Sequence, residues 1–470
     1  MSLSSQEPKE TDTIAAIATP PGEGGIGIVR LSGARAIEIT SKFFFPDSGA
    51  SLWDQTSFTA RMGKVLRAGL VERAVVDEAL ALVMRAPKTY TREDMVEIQA
   101  HGGTVVLRAI LELALSYGAR AAEPGEFTKR AFLSGRIDLL QAEAVLDLIH
   151  AKSEAGRAFA ASQLGGALSS RIATLREGLI DILSHLETDI DFPDDFAEPD
   201  AAKTLQTRLE FVRSQIAALV GSSALGFVAK RGLSVVIWGR PNVGKSSLLN
   251  ALARKNRVIV TPHPGTTRDV VEEEVEIGGF PVRLLDTAGV QETQDPIEKE
   301  GVERSRQAVK TADLVLHVLD ASQPLPAGEK TLLEASSGKP RIFVLNKSDL
   351  PARLKSRELS IGPGELTTVF ISTLTEEGVL PLEEALLLFL RAGQVTPSEE
   401  PVVTSLRQKD ILIKVSSDLE TASQALRKGL SAEFPAADVR RGLAGLGELT
   451  GEITNEEVLG RLFSQFCIGK

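Results

Sequence analysis

Residues 239–246 read Gly239-Arg240-Pro241-Asn242-Val243-Gly244-Lys245-Ser246, a G-x-x-x-x-G-K-S octet. Such an octet works only between a strand and a helix. The run before it, Ser234-Val235-Val236-Ile237-Trp238, is short and apolar and reads as a buried strand. Ser247 to Ala253 reads as the start of a helix. Glycines let the backbone curl until several N–H groups point inward at phosphate oxygens, and the helix N-terminus adds the positive end of its dipole. The predicted phosphate cradle is Asn242, Val243, Gly244, Lys245, Ser246 and Ser247. Lys245 is placed to reach the β- and γ-phosphates, and the Ser246 hydroxyl to ligate Mg²⁺.

The 470 residues leave room for about three domains around this motif. Residues 12–130 mix short β-like runs with turn clusters and one helical stretch, Val105 to Tyr117, which suggests an α+β unit. From 137 to 229 the period changes. Leu168, Ile172, Leu175, Leu179, Ile182 and Leu186 fall three or four apart and make one apolar helix face. Strands and helices alternate from 234 to 392, with strands expected at 234–238, 270–277, 281–286, 314–319, 341–345 and 368–372. Gly278-Gly279 reads as a two-residue hairpin turn. Helical texture returns after 401. The expected architecture is an α+β domain at 1–134, a helical domain at 135–229 and 393–470, and an α/β P-loop domain at 230–392 inserted in the helical one.

A P-loop does not choose its base. Asn346-Lys347-Ser348-Asp349 follows the apolar run Arg341 to Leu345, at the strand end where ligands sit in open α/β sheets. An aspartate there accepts from N1–H and N2–H₂ of guanine, a donor pair that adenine lacks. Gly265-Thr266-Thr267-Arg268-Asp269 and Asp286-Thr287-Ala288-Gly289 lie between the two motifs. Asp286 is expected to hold Mg²⁺ through water, Thr267 to complete the metal shell, and the Gly289 amide to sense the γ-phosphate. Ser372-Thr373-Leu374 stands in the place of the remaining guanine-side loop. The elements resemble those of translation-factor-like GTPases. Where Ras-like switches carry a water-orienting glutamine this chain has Val290, so Gln291, Glu292 and Glu298 become the candidates for that task.

The flanks resemble the tRNA modification GTPase family MnmE (TrmE) over essentially the whole chain. The matching stretches include Ala18-Thr19-Pro20-Pro21-Gly22, Gly24-Gly25-Ile26-Gly27-Ile28-Val29-Arg30, Glu93-Asp94-Met95-Val96-Glu97, His101-Gly102-Gly103, Pro124 to Leu133, Ile190-Asp191-Phe192-Pro193 and Phe466-Cys467-Ile468-Gly469-Lys470. The resemblance implies an N-terminal domain that dimerises and binds a one-carbon tetrahydrofolate, the 5,10-methylene or 5-formyl form. Its contacts carry over to Arg30, Glu97, Arg136 and Lys470, with Arg136 where the family often has lysine. Cations suit a glutamate tail, and a carboxylate suits pterin N–H groups. The resemblance also implies potassium beside the phosphates, at Asn242, Thr261, His263 and Thr266, with Glu298 positioning the attacking water. It implies GTP contacts that take in Thr261, Thr266, Thr287, Ala288, Lys347, Ser372 and Thr373. Partners implied are a second copy of the chain, an FAD- and NADH-dependent MnmG (GidA)-like protein in a heterotetramer, and tRNA. Cys467 is either a nucleophile toward a pyrimidine ring or a buried or incidental thiol beside the folate site.

Composition limits these roles. Net charge is −10, so bare nucleic-acid binding needs a local patch or a basic partner. One cysteine allows no intramolecular disulfide and fits a reducing cytoplasm. No signal peptide is read at the N-terminus, no run is read as approaching the ~18 apolar residues of a membrane span, and no membrane role is expected. The alternative reading is a ribosome-assembly or regulatory GTPase without folate chemistry. Such a protein would more naturally carry a basic RNA-binding appendage.

Overall fold

The computed structural model describes residues 12–68, 74–192, 201–255, 272–286, 307–326, 329–336, 338–354, 365–392 and 401–470. Two compact units make up the chain: Met1–Leu146 with Gly447–Lys470, and Asp147–Leu446.

The first unit is built on a seven-stranded sheet. Its strands are β1 (Ile14–Ile17), β2 (Gly24–Ser32), β3 (Phe44–Pro46), β4 (Thr59–Arg67), β5 (Ala74–Met84), β6 (Met95–Gly102) and β7 (Arg120–Ala121), in the spatial order β3-β4-β5-β6-β2-β1-β7. All neighbours run antiparallel except β1 and β7. Along β2, Val29 and Leu31 are buried in the core that includes Leu107, Ile110 and Leu113 of the helix Thr104–Ser116. The two-residue pleat then sends Arg30 to the opposite face. There Glu97 of β6 stands directly across from it. Residues 447–470, grouped with the long helices by the sequence reading, contribute Leu459, Phe463 and Phe466 to a core with Ala131, Leu139 and Ala142.

The second unit holds a six-stranded sheet: β8 (Leu233–Trp238), β9 (Glu272–Ile277), β10 (Phe280–Asp286), β11 (Leu314–Asp320), β12 (Arg341–Asn346) and β13 (Glu365–Phe370). The order is β13-β12-β11-β8-β10-β9, parallel throughout except for β9 against β10. Every residue of β8 is buried, as a strand covered on both faces must be. Gly278 and Gly279 take φ of 57° and 86°, the doubly positive turn expected of this hairpin. The hairpin is tied down from outside the sheet. Ala155 N–H donates to the Gly279 carbonyl at 2.9 Å, and Lys152 Nζ reaches Glu274 Oε1 at 2.8 Å.

Long helices at Ala167–Asp191, Ala201–Arg231 and Leu406–Arg427 complete this unit. Leu168, Ile172, Leu175, Leu179, Ile182 and Leu186 are all buried, as their spacing predicts. One expectation is corrected. Lys203–Arg231 is long and apolar enough, by length and composition, to cross a membrane. Part of its apolar surface is used in packing: Leu225 and Ala229 belong to the same core as β8 and β10.

Candidate functional site

The order of the second sheet puts β8 at the point where the chain turns both ways, toward β10 on one side and β11 on the other. Ligands bind outside the carboxyl ends of strands at such a point. The P-loop leaves β8 there and enters the helix Lys245–Lys255. A cleft of about 630 Å³ opens over it, lined by Asn242, Gly244, Lys245, Ser246 and Ser247 from the P-loop side and by Asn346, Lys347, Asp349 and Thr373 from the other. These are sequence-predicted residues from three separate stretches, and the fold assembles them. Val243 lies buried behind the loop and Ser372 behind the base-side wall.

Two hydrogen bonds join the stretches. The buried Asn346 amide donates from Nδ2 to the Val243 carbonyl at 2.8 Å, and its Oδ1 accepts from Thr373 N–H at 3.1 Å. Gly244 is obligatory beneath it. Its φ is 98°, and a Cβ there would stand 2.1 Å from Asn346 Nδ2. Asp349 accepts from Ser372 Oγ at 2.6 Å, which aims an exposed carboxylate along the cleft wall. Lys347, with a φ of 63°, sends Nζ to Asp320 Oδ2 at 2.6 Å. Burial alone would raise the Asp320 pKa, but Lys347 and Ser322 outweigh it and hold the carboxyl below the usual range. Lys245 Nζ donates to the Arg240 carbonyl at 2.8 Å.

Ser246 is exposed at the first turn of its helix, and Asn242 is exposed with a φ of 65°. A hydroxyl and an amide oxygen on the cleft surface suit Mg²⁺ and a monovalent cation respectively. Among the described residues no group of three or more His, Cys, Asp or Glu could hold a metal. Oxygen donors and a bound phosphate would have to serve, as in P-loop proteins. Asp286 closes β10. Thr261, His263, Thr266, Thr267, Thr287, Ala288, Gly289, Val290, Gln291, Glu292 and Glu298 lie outside the described residues.

A second polar constellation lies in the first unit. Arg30 donates from Nε to Glu97 Oε1 at 2.8 Å and from Nη1 to the Gly469 carbonyl at 3.1 Å. Its guanidinium also stands 5.6 Å from the centre of the Phe127 ring. Lys470 is near enough to feel both Arg30 and Glu97. Burial and the Arg30 charge push its pKa down, against the opposing pull of Glu97 and Cys467. Arg136 lies 4.9 Å from the centre of the Tyr90 ring, and Tyr90 feels the charges of both Arg136 and Arg30. Burial raises the Tyr90 pKa, and its hydroxyl bonds Thr128 Oγ1 at 3.0 Å. Arg30, Glu97, Arg136 and Lys470 therefore share one neighbourhood. Cys467 is exposed there.

Two family profiles match the chain. One, described as the MnmE helical domain, covers residues 139–467, and the other, described as the GTP-binding protein TrmE N-terminus, covers 13–136. The chain belongs to the MnmE family. MnmE relatives named tRNA modification GTPase MnmE include that of Geobacillus kaustophilus, 46% identical over 467 residues, 98% of this chain and all of the relative. Another is that of Levilactobacillus brevis, 46% identical over 463 residues, 98% of this chain and 99% of the relative. Among solved structures the chain is similar to the G domain of the T. maritima FeoB iron transporter, with 27% identity over 33% of this chain and 98% of that one, at a TM-score of 0.27. It is also similar to a variant of Aquifex aeolicus Era bound to GDP.AlF4-, with 26% identity over 41% of this chain and 66% of that one, again at 0.27.

In this member of the MnmE family the structure adds residues that sequence reasoning missed. Leu350 is exposed and lines the cleft beside Asp349, and Leu374, already within the Ser372-Thr373-Leu374 stretch read from the sequence, lines it beside Thr373. Leu350 follows the Asn346-Lys347-Ser348-Asp349 motif directly, which was the available signal. Gly469 offers Arg30 a main-chain carbonyl, and no residue type could have announced that.

Proposed function

We propose that this chain binds and hydrolyses GTP in the service of tRNA wobble-uridine modification. The observation that carries the nucleotide half is the bond from Asn346 to the Val243 carbonyl. It locks the guanine-reading segment to the phosphate-binding loop across one cleft. The α- and β-phosphates fit the P-loop amides, Lys245 neutralises the developing charge, and Asp349 accepts from the guanine N1–H and N2–H₂. Ser246, Thr267 and Asp286 are the Mg²⁺ side of the site. Asn242, Thr261, His263 and Thr266 are the potassium side, and Glu298 orients the attacking water. Mg²⁺ and K⁺ would supply positive charge to the phosphoryl oxygens as the bond breaks.

The second half rests on the cluster of Arg30, Glu97, Arg136 and Lys470. Its three cations suit the carboxylates of a folate tail and its one carboxylate suits pterin donors. A one-carbon tetrahydrofolate is the proposed occupant. We assign the chain to a homodimer acting with an FAD- and NADH-dependent MnmG-like partner on tRNA, with domains at 1–134, 135–229 plus 393–470, and 230–392. The acidic net charge leaves most of the tRNA surface to the partner.

Mass spectrometry of nucleosides from cells lacking the protein tests this reading. Loss of C5-substituted wobble uridine, restored by the wild-type chain and not by Lys245→Ala, is the expected result. An unchanged nucleoside profile would overturn it.

A further inference from the structure

Against β8, whose end carries the P-loop, lie two ionisable side chains that nucleotide chemistry does not call for. His317 of β11 and Glu329, the first residue of the helix Glu329–Ala335, are both closed to solvent. The His317 and Glu329 side chains meet at Nε2 and Oε1, 2.8 Å apart. With the imidazole proton on Nε2 this is a hydrogen bond to the carboxylate. His317 sits on a central strand, in register with Trp238 of β8 and Phe343 of β12. An apolar residue would fill that position without any polar burden, as Leu316 and Val318 do on either side. A buried carboxylate is costly unless paired.

The imidazole satisfies one carboxylate oxygen. Glu329 Oε2 has no hydrogen-bond partner among the described residues. The cation that faces it is Arg240, with Nε 3.7 Å away. Arg240 is the second residue of the P-loop, and its carbonyl is the one that receives Lys245 Nζ. The same helix takes a second hold on the loop's entrance, since Trp238 Nε1 donates to the Leu332 carbonyl at 3.2 Å. One helix thus grips the chain immediately before and immediately after Gly239.

We propose that Glu329, oriented by His317, is a positioning residue for nucleotide binding that acts through Arg240 on the P-loop. Lys245 has to meet phosphate, and the carbonyl it rests on is held in place before a ligand arrives. Ordering that is complete beforehand is not charged against binding. The inference rests on reading the cleft as a guanine-nucleotide site.

Calorimetric titration of the full chain with GDP tests it. Arg240→Ala and Glu329→Gln are each expected to raise Kd about fivefold, the factor for a half-exposed charged contact. The double variant is expected to bind no more weakly than the weaker single one, and Arg240→Lys to recover most of the loss. In steady-state hydrolysis the change is expected in KM rather than kcat, a split that a general loss of structure would not produce. Should Glu329→Gln fail to fold, Arg240→Ala decides alone, because its side chain is 42% exposed. Wild-type affinity in Arg240→Ala overturns the inference and leaves the nucleotide reading standing. Losses that multiply in the double variant also overturn it. No GDP binding by the unaltered chain overturns both.

Discussion

Asn346 Nδ2 and the Val243 carbonyl meet at 2.8 Å across 103 residues of sequence. The amide is buried and uses its oxygen on Thr373 N–H as well, so one side chain joins three segments of the cleft. Asn346→Ala would leave the Val243 carbonyl and the Thr373 amide without this partner. The expected cost is about 1–3 kcal/mol of folding stability. A loss of GDP affinity of about tenfold or more is expected with it, since the two walls are no longer joined. Thermal melting and calorimetry check both numbers.

Asp349 offers two acceptor oxygens to the cleft and is held by Ser372 Oγ. Asp349→Asn replaces an acceptor by a donor. Guanine then meets an N–H where it needs an oxygen, while xanthine, with a carbonyl at C2, gains a partner. The preference for GTP over XTP is expected to invert, with GTP affinity falling ~10²-fold or more. Competition between the two nucleotides reads the outcome. Unaltered GTP preference in the variant would remove Asp349 from base reading.

Asn242 is exposed on the cleft in a left-handed conformation that asparagine tolerates better than most residues. If its amide oxygen ligates potassium, hydrolysis is faster in potassium than in sodium at equal ionic strength. Asn242→Ala is then expected to bring the two rates together. Equal rates for the unaltered chain would count against potassium altogether.

Arg30 serves Glu97 and the Gly469 carbonyl together. Arg30→Ala strands a carboxylate that is only 14% exposed, at an expected cost of about 1–3 kcal/mol. Binding of 5-formyl-tetrahydrofolate is expected to fall at least about tenfold. The Lys470 pKa is depressed by burial first and the Arg30 charge second. Its positive charge is therefore lost at lower pH than that of an ordinary lysine. Affinity for the anionic folate should decline as pH rises toward that value, and less steeply in Lys470→Arg. Calorimetry over a pH series measures this.

Glu126 accepts from Arg120 Nη2 at 2.6 Å and from Arg130 Nη2 at 3.0 Å. Burial raises its pKa, but Arg120, the Glu123 amide and Arg130 outweigh burial and hold the carboxyl below its ordinary 4.5. A folded value below the unfolded one contributes stability above about 4.5 that is lost as pH falls through the folded value. The melting temperature of Glu126→Gln is expected to lie below that of the wild type at pH 7. The gap should close as the solution is acidified below pH 4.5.

The nucleotide site was legible because its determinants are local. Gly239 to Ser246 and Asn346 to Asp349 each sit at the end of an apolar strand, and a strand's carboxyl end is where such residues face a ligand. The strand before Ser372 was expected at 368–372 and runs Glu365–Phe370. Two adjacent threonines, Thr367 and Thr368, separate Leu366 from Val369 and Phe370 and break the apolar run, which blurs the boundary. The hold of Glu329 on Arg240 was not legible, since nothing about a glutamate after a proline-rich loop says that it is buried. The apolar helix Ala201–Arg231 was underestimated because serine and glycine residues interrupt its hydrophobic stretch without breaking the helix.

The bond between Arg30 and Gly469 sets a schedule. Chains emerge from synthesis at roughly 5–20 residues per second, and early segments begin folding first. The 439 residues separating these two take roughly 20 to 90 seconds to be made at that pace. Until then β2 and β6 can pair, but Arg30 lacks one of its acceptors and Lys470 does not exist. The polar cluster around Arg30 is therefore completed only once Gly469 and Lys470 have been made, and a newly made sheet has to wait for them.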